Sequence, residues 1–461
     1  MHDIELKYRK FPDGFVWGTA TASYQIEGAV NEAGRGPSIW DTFSNTPGKV
    51  LLGQTGYVAC DHYHRYRDDV KMMSELGLES YRFSLAWPRV FPEKGKFLEG
   101  GFDFYKRLLE ELHKYNIRPA ATIYHWDLPQ WLEDAGGWSN RDTVNHYLEF
   151  AEAAFKALGD EIPLWITHNE PWCASMLSYG MGEHAPGLRD WRRAYRAAHH
   201  LMLSHGEAVQ LYRQMGLTGE IGITLNLAPA YPASPAEADV EAAARQDIFS
   251  NRWFLDPIFK GTYPSEFSER LEQQIGPLDF VQEGDLKVIS EPMDFLGINF
   301  YSRSVVKDLA DGSLLEVEHV HTENKVTDMG WEVYPPALYD LLKHLQSVYT
   351  SLPLYITENG AASADVLTGG QVHDTDRIDY VHAHLQAAHQ FIEEGGNLKG
   401  YYWWSLMDNF EWAFGYTKRF GIVYVDYDTQ ARIPKDSYYW YRSIIAENAI
   451  HAQHQQQLST R

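Results

Sequence analysis

Cysteine is scarce in this chain: among 461 residues there are two, Cys60 and Cys173. Two thiols cannot build a disulfide framework, so a reducing compartment, the cytoplasm, is expected. Positive charge is also short, with 40 Lys+Arg against 63 Asp+Glu and a formal net charge of −23. A surface of that sign repels phosphate, which argues against nucleic acid and anionic membranes as partners. No apolar run approaches the length of a membrane span. Residues 1–7 lack the basic stretch and apolar core of a cleaved leader, and no Asn-x-Ser/Thr acceptor is present. Walker, G-x-G-x-x-G, G-x-S-x-G and H-E-x-x-H motifs are absent, so neither a cofactor nor a metal is expected.

What remains is a globular composition. Charged residues make up 22% and hydrophobic residues 44%, which separates the chain from acidic disordered proteins. Aromatics are abundant, with Trp 15, Tyr 29 and Phe 21. Such a surplus serves either a core or a pocket that stacks against a flat ligand such as a sugar ring, and composition alone leaves both open.

Short apolar runs alternate with helical patterns along the chain. Strands are expected over 15–20, 80–84, 119–124, 164–168, 221–225, 295–300, 354–357 and 400–405. Between the first two, Tyr63, Tyr66, Val70, Met73 and Leu76 recur at helical spacing and Gly77 is a natural stop. Further helices are read at about 191–215, 335–348, 378–392 and 437–449, with Asp374-Thr375-Asp376 marking a helix start. Eight strand–helix alternations without a linker point to α/β architecture, a single (β/α)8 TIM barrel with long βα-loop insertions at about 229–294 and 302–334. A doubly wound open sheet is the alternative. The expected domain is the whole chain, 1–461, with an ordered core over about 11–449 and a frayed tail over 450–461.

In such a barrel the catalytic groups sit at the carboxyl ends of the strands. Arg82, His125-Trp126, Asn169-Glu170 and Glu358-Asn359 fall there, and Trp404 lies shortly before Glu411-Trp412. Two carboxylates facing each other across the mouth suit acid/base work at a glycosidic bond. A glutamate at a strand end is as often a rim charge, and a tryptophan by itself is more often core. His62-Tyr63-His64 reads as surface or cap rather than metal site, and His199-His200, without partner acids at ligand spacing, as structural.

The motifs then carry a family resemblance. Residues 11–28 (FPDGFVWGTATASYQIEG), Tyr81-Arg82-Phe83-Ser84, His125-Trp126, Thr167-His168-Asn169-Glu170-Pro171-Trp172, Asn299-Phe300-Tyr301, Met329-Gly330-Trp331, Ile356-Thr357-Glu358-Asn359-Gly360 and the stretch 403–412 (WWSLMDNFEW) resemble, in order, the blocks of glycoside hydrolase family 1, the β-glucosidase family. The resemblance implies Glu170 as general acid/base and Glu358 as nucleophile of a retaining mechanism, with the two carboxyls about 5–5.5 Å apart. It implies that Arg82 and Tyr301 orient Glu358, and that Gln25, His125, Trp126, Asn169, Trp404, Glu411, Trp412 and Phe420 bind the nonreducing sugar. Trp172 and Trp331 fall on the aglycone side.

His168 departs from the Phe or Leu frequent before Asn-Glu in the family, and strand geometry turns it away from Glu170. A packing role is expected, with a proton relay as the sharper alternative. Lys418 matches one residue of the 6-phosphoglycoside pattern, but Glu411-Trp412 and Phe420 do not, and a Glu411 carboxylate aimed, as the resemblance implies, at the 4- and 6-hydroxyls repels phosphate. The expected enzyme is an exo-acting β-glucosidase of cello-oligosaccharides and aryl or alkyl β-glucosides, with β-galactosidase or β-fucosidase side activity and transglycosylation. A 6-phospho-β-glucosidase and a non-catalytic carbohydrate-binding barrel are the rivals. The small-molecule glycoside is the expected partner, and a homo-oligomer stays open.

Overall fold

The computed structural model describes residues 8–452. Eight strands, β1 (Val16–Ala20), β2 (Ser80–Ser84), β3 (Arg118–Tyr124), β4 (Leu164–Asn169), β5 (Glu220–Asn226), β6 (Phe295–Asn299), β7 (Leu354–Asn359) and β8 (Leu398–Trp404), follow one another along the chain. They close into a barrel in the order β7-β8-β1-β2-β3-β4-β5-β6. The open sheet is excluded because β8 pairs in parallel with β1, from Gly400 beside Val16 to Trp404 beside Ala20. Each expected strand lies on an observed one.

Both faces of these strands are covered, which is why β2 and β4 read as unbroken buried runs rather than as alternations. Val16, Ala120, Leu164, Ile166, Phe295 and Tyr402 fill the barrel interior, and the same cluster continues upward to Trp404 and Phe420. Gly18 is needed in that layer, because a Cβ there would come within 2.3 Å of the Tyr402 ring. Eight of the fifteen tryptophans (Trp17, Trp40, Trp87, Trp138, Trp165, Trp253, Trp403 and Trp440) have no exposed surface, so about half of the surplus is core.

Helices alternate with the strands. His62–Leu76 ends where Gly77 turns left-handed at φ 82°, and Thr375–Glu393 begins at the Asp374 segment as expected. The insertions are organised: Ala230–Pro232, Ser304–Asp308 and Val317–His319 form a three-stranded sheet drawn from both of them. Among the described residues no helix is long and apolar enough to cross a membrane.

Four expectations need correction. The last helix is Asp436–Glu447, not 437–449, because Asn448 adopts a left-handed φ of 50° and stops it. The chain beyond is not frayed from 450, since Ala449–His451 pairs antiparallel with Tyr8–Lys10. The Gln455-Gln456-Gln457 segment lies outside the described residues. His62 is buried rather than on the surface, its Nδ1 2.8 Å from Asp69 Oδ2, while Arg432 holds the other oxygen at 2.9 Å. His199 does meet an acid, one distant in sequence: Nε2 lies 2.8 Å from Asp285 Oδ2 and Nδ1 2.8 Å from the Tyr263 hydroxyl. Both remain structural: His62 and Asp69 lie on one helix that Arg432 ties to a strand, and His199 with Asp285 joins two helices.

Candidate active site

Polar side chains from six strands converge at the carboxyl end of the barrel. Arg82, on β2, is completely buried and anchors them. Its Nη1 donates to Glu358 Oε1 at 2.6 Å and to the Thr357 carbonyl at 3.1 Å; its Nη2 donates to Asn169 Oδ1 at 2.7 Å. Nε donates to Thr122 Oγ1 at 3.2 Å. A cation without water is tolerable only with such complete pairing. The Tyr301 hydroxyl donates to the second oxygen of Glu358 at 2.7 Å, so this carboxylate is held on both sides.

Glu170 sits among weaker partners. Asn299 Nδ2 donates to its Oε1 at 2.6 Å, and the Cys173 thiol donates to its Oε2 at 3.0 Å. Burial and the charge of Glu358 push the Glu170 carboxyl up to about 7, against the opposing pull of Asn299 and Cys173. Burial also raises Glu358, but there Arg82 and Tyr301 oppose it. A full cation favours the ionised form far more than neutral donors do. Of the two, Glu170 is therefore the one that keeps its proton.

The sugar-facing atoms can be oriented from their hydrogen bonds. Asn169 Oδ1 accepts from Arg82 and, at 3.0 Å, from Asn299 Nδ2, so its amide nitrogen faces His125 Nε2 at 3.0 Å. That nitrogen donates, His125 Nε2 accepts, and the proton of the ring sits on Nδ1. Burial and Arg82 hold His125 well below the usual imidazole range, hence neutral. Gln25 Nε2 donates to Asn409 Oδ1 at 3.0 Å and to the Phe410 carbonyl at 2.8 Å, which leaves Oε1 as a free acceptor. Buried and without a protein partner are Gln25 Oε1, His125 Nδ1 and Glu411 Oε2. A buried donor and two buried acceptors without mates are what ring hydroxyls would satisfy. Glu411 is pushed up to about 8 by burial and by the charges of Glu358 and Glu170.

The aromatic walls are close by. Trp404 lies parallel to His125 at 5.9 Å, and Trp412 packs on Trp126 at 4.7 Å and on Trp40 at 4.6 Å. Trp126 donates its indole N–H to the Asn169 carbonyl at 2.8 Å. Phe420, Tyr301 and Trp331 form a second group, with ring centres 5.2–6.1 Å apart. Trp172 is separate, against Phe249 at 5.7 Å. Trp126, Glu170 and Trp412 all hold a left-handed backbone, at φ 78°, 49° and 49°. Strain of this kind, in residues other than glycine, gathers at functional sites.

Two neighbours escaped the sequence reading as site residues. Asn299 stands at the end of β6, so the strand-end rule that selected Asn169 and Glu358 could have selected it too. Cys173 opens a π-helical stretch, Cys173–Met181, and no motif marks it. His168 faces outward, its Nε2 donating to Ser204 Oγ at 2.8 Å and its ring stacked on Tyr147 at 4.5 Å. Among the described residues no group of three or more His, Cys, Asp or Glu side chains is placed to hold a metal ion.

Comparison with known proteins finds relatives along nearly the whole chain. Residues 7–450 match the Glycosyl hydrolase family 1 model. The chain is 50% identical to Beta-glucosidase A of Acetivibrio thermocellus over 444 residues, covering 95% of this chain and 99% of that one. A Bifidobacterium breve bifunctional beta-D-glucosidase/beta-D-fucosidase is 46% identical over 463 residues, with 95% and 99% covered. Among solved structures, the AHE enzyme of Alicyclobacillus herbarius superposes with TM-score 0.94 at 57% identity, covering 96% of this chain and 98% of that chain. The family 1 β-glucosidase of Thermotoga maritima in complex with isofagomine lactam does so with TM-score 0.92 at 46% identity, covering 96% and 100%. With the barrel, the paired carboxyls and a match over nearly its whole length, the chain belongs to glycosyl hydrolase family 1.

Proposed function

We propose that this protein is a retaining, exo-acting β-glucosidase that releases the terminal nonreducing glucosyl residue of cello-oligosaccharides and of aryl or alkyl β-glucosides. The observation that carries the reading is the unequal setting of the two carboxyls: Arg82 and Tyr301 on Glu358, only neutral donors on Glu170. Glu358 attacks the anomeric carbon as the carboxylate, and Glu170 gives its proton to the departing oxygen. The glycosyl ester formed on Glu358 is then cleaved by water, from which Glu170 takes a proton, so each carboxyl ends as it began. An alcohol in place of water gives transglycosylation.

Asn169 Nδ2 and His125 Nδ1 supply donors to the ring hydroxyls, and Gln25 and Glu411 supply acceptors. Relatives named as β-glucosidases, one of them also a β-fucosidase, support glucose with fucose as a side substrate. Lys418 does not favour a phosphorylated sugar: its ammonium donates to the Asp328 carbonyl at 2.6 Å and to the Asp328 carboxylate at 3.1 Å. The free, buried thiols of Cys60 and Cys173 suit a cytoplasmic setting.

Initial rates on nitrophenyl β-glucoside, β-galactoside, β-fucoside and β-glucoside 6-phosphate test the reading. Fast turnover of the glucoside with little of the phosphate ester is expected. Preference for the ester would overturn the role given to Glu411, and no turnover by folded protein would leave a carbohydrate-binding barrel.

A further inference from the structure

Between Asp408 and Gly421 the chain leaves the barrel rim, carries Glu411 and Trp412 over the site, and returns through Phe420. The neck of this excursion is tied to one fully buried carboxylate. Asp408 Oδ2 accepts from Arg419 Nη1 at 2.6 Å, and Oδ1 accepts from the Gly421 N–H at 3.0 Å and from Lys435 Nζ at 2.7 Å. There is no slack at this neck, since a Cβ on Gly421 would lie 2.0 Å from the Asp408 nitrogen.

Lys435, itself without exposed surface, reaches from the start of the last helix and bridges Asp408 to Asp365, 2.5 Å away in the loop after β7. Asp365 accepts from Arg377 Nη2 at 2.8 Å, and the same Arg377 nitrogen donates to the Arg419 carbonyl at 2.7 Å. Arg377 also pairs with Asp374 and donates to the Ala361 carbonyl at 3.0 Å. Three carboxylates thus meet three cations in a closed, neutral cluster behind the sugar-binding wall. Glu170 and Glu358 are held by a separate set of partners around Arg82.

We propose that Lys435, acting through Asp408, is a positioning residue for sugar selectivity: it fixes the neck of the loop that presents Glu411 and Trp412, and so sets how well ring hydroxyls are read without touching them. The inference rests on Glu411 being the hydroxyl-binding carboxylate. Without the ammonium, Asp408 and Asp365 would be two buried like charges with nothing between them, and the cheapest relief is to open the neck. The loop then shifts while the carboxyl pair stays on its strands. Recognition of the hydroxymethyl arm should suffer, and bond cleavage much less.

The test is the ratio of kcat/KM on nitrophenyl β-glucoside to that on nitrophenyl β-xyloside, the same ring without the hydroxymethyl group. A purely structural lysine would lower both rates together; a positioning lysine lowers the ratio. Lys435→Met is expected to reduce it about tenfold, with the xyloside rate changed less than about threefold. Asp365→Asn, which keeps shape and removes one charge of the bridge, should reduce it about threefold, and decides the matter if the lysine variant does not fold. Glu411→Gln is the control. If it leaves the ratio unchanged, the reading of Glu411 falls and the inference with it. If Glu411→Gln lowers the ratio but Lys435→Met and Asp365→Asn change only the unfolding temperature, the inference alone is overturned.

Discussion

The buried thiol of Cys173 donates a hydrogen bond to Glu170 Oε2 at 3.0 Å from one helical turn away. Burial and the neighbouring glutamate hold Cys173 well above the ordinary thiol range, so it remains a neutral donor throughout the working pH range. Its bond favours the ionised form of Glu170 and so restrains the rise of that carboxyl to about 7.

Removing the donor should therefore let Glu170 rise further. For Cys173→Ala the basic limb of the kcat/KM profile on cellobiose is expected to move to higher pH by a few tenths of a unit or more, with the acidic limb nearly unchanged. Cys173→Ser, a stronger donor, should move it the other way. Coincident basic limbs in all three proteins would show that the thiol does not touch the titration of Glu170.

The division of labour between the carboxyls predicts a leaving-group effect. A Glu170→Gln variant can no longer supply a proton, so substrates that leave as poor anions should suffer most. The rate of the step that cleaves cellobiose should fall by about 10³-fold or more, while formation of the glycosyl-enzyme from dinitrophenyl glucoside should change little. Equal losses on both substrates would contradict the acid role.

Arg82 supports both halves of the site at once, which separates its effect from that of an ordinary core residue. Arg82→Met keeps bulk but leaves Glu358 without its cation and Asn169 without the donor that orients it. An activity loss exceeding 10³-fold is expected, along with destabilisation of about 3–5 kcal/mol from the unpaired buried carboxylate. Calorimetry and single-turnover rates measure the two parts. A stable variant with near-normal turnover would refute the assignment.

The barrel was legible because each strand is a short apolar run, cut off by a turn and followed by helical spacing, so that repetition made the architecture plain even where bounds slipped by a residue or two. Strand ends then exposed Arg82, Asn169, Glu170 and Glu358. What the sequence hid depends on contacts between distant segments. The acid that meets His199 is Asp285, and the partner of the chain end at Ala449–His451 is Tyr8–Lys10. Neither periodicity nor composition carries such pairings. The same holds for Cys173 and for the Lys435 cluster, whose members lie on separate loops and only meet once the barrel has closed.

The buried acids predict how the unliganded protein responds to pH. Glu170 at about 7 and Glu411 at about 8 both lie above the ordinary glutamate value of 4.5. Between that value and the raised ones the folded protein binds more protons than the unfolded chain, so stability falls as pH rises through the window. Below about pH 4.5 both states are protonated and this effect is absent; above about pH 8 it is fully expressed. Glu411→Gln removes one contributor and relieves the repulsion on its neighbours. Its unfolding temperature relative to the unsubstituted protein should therefore improve by a few degrees on going from pH 5 to pH 8. Thermal scans at both pH values without sugar measure this, and a difference that is independent of pH would mean that Glu411 titrates as an exposed carboxylate does.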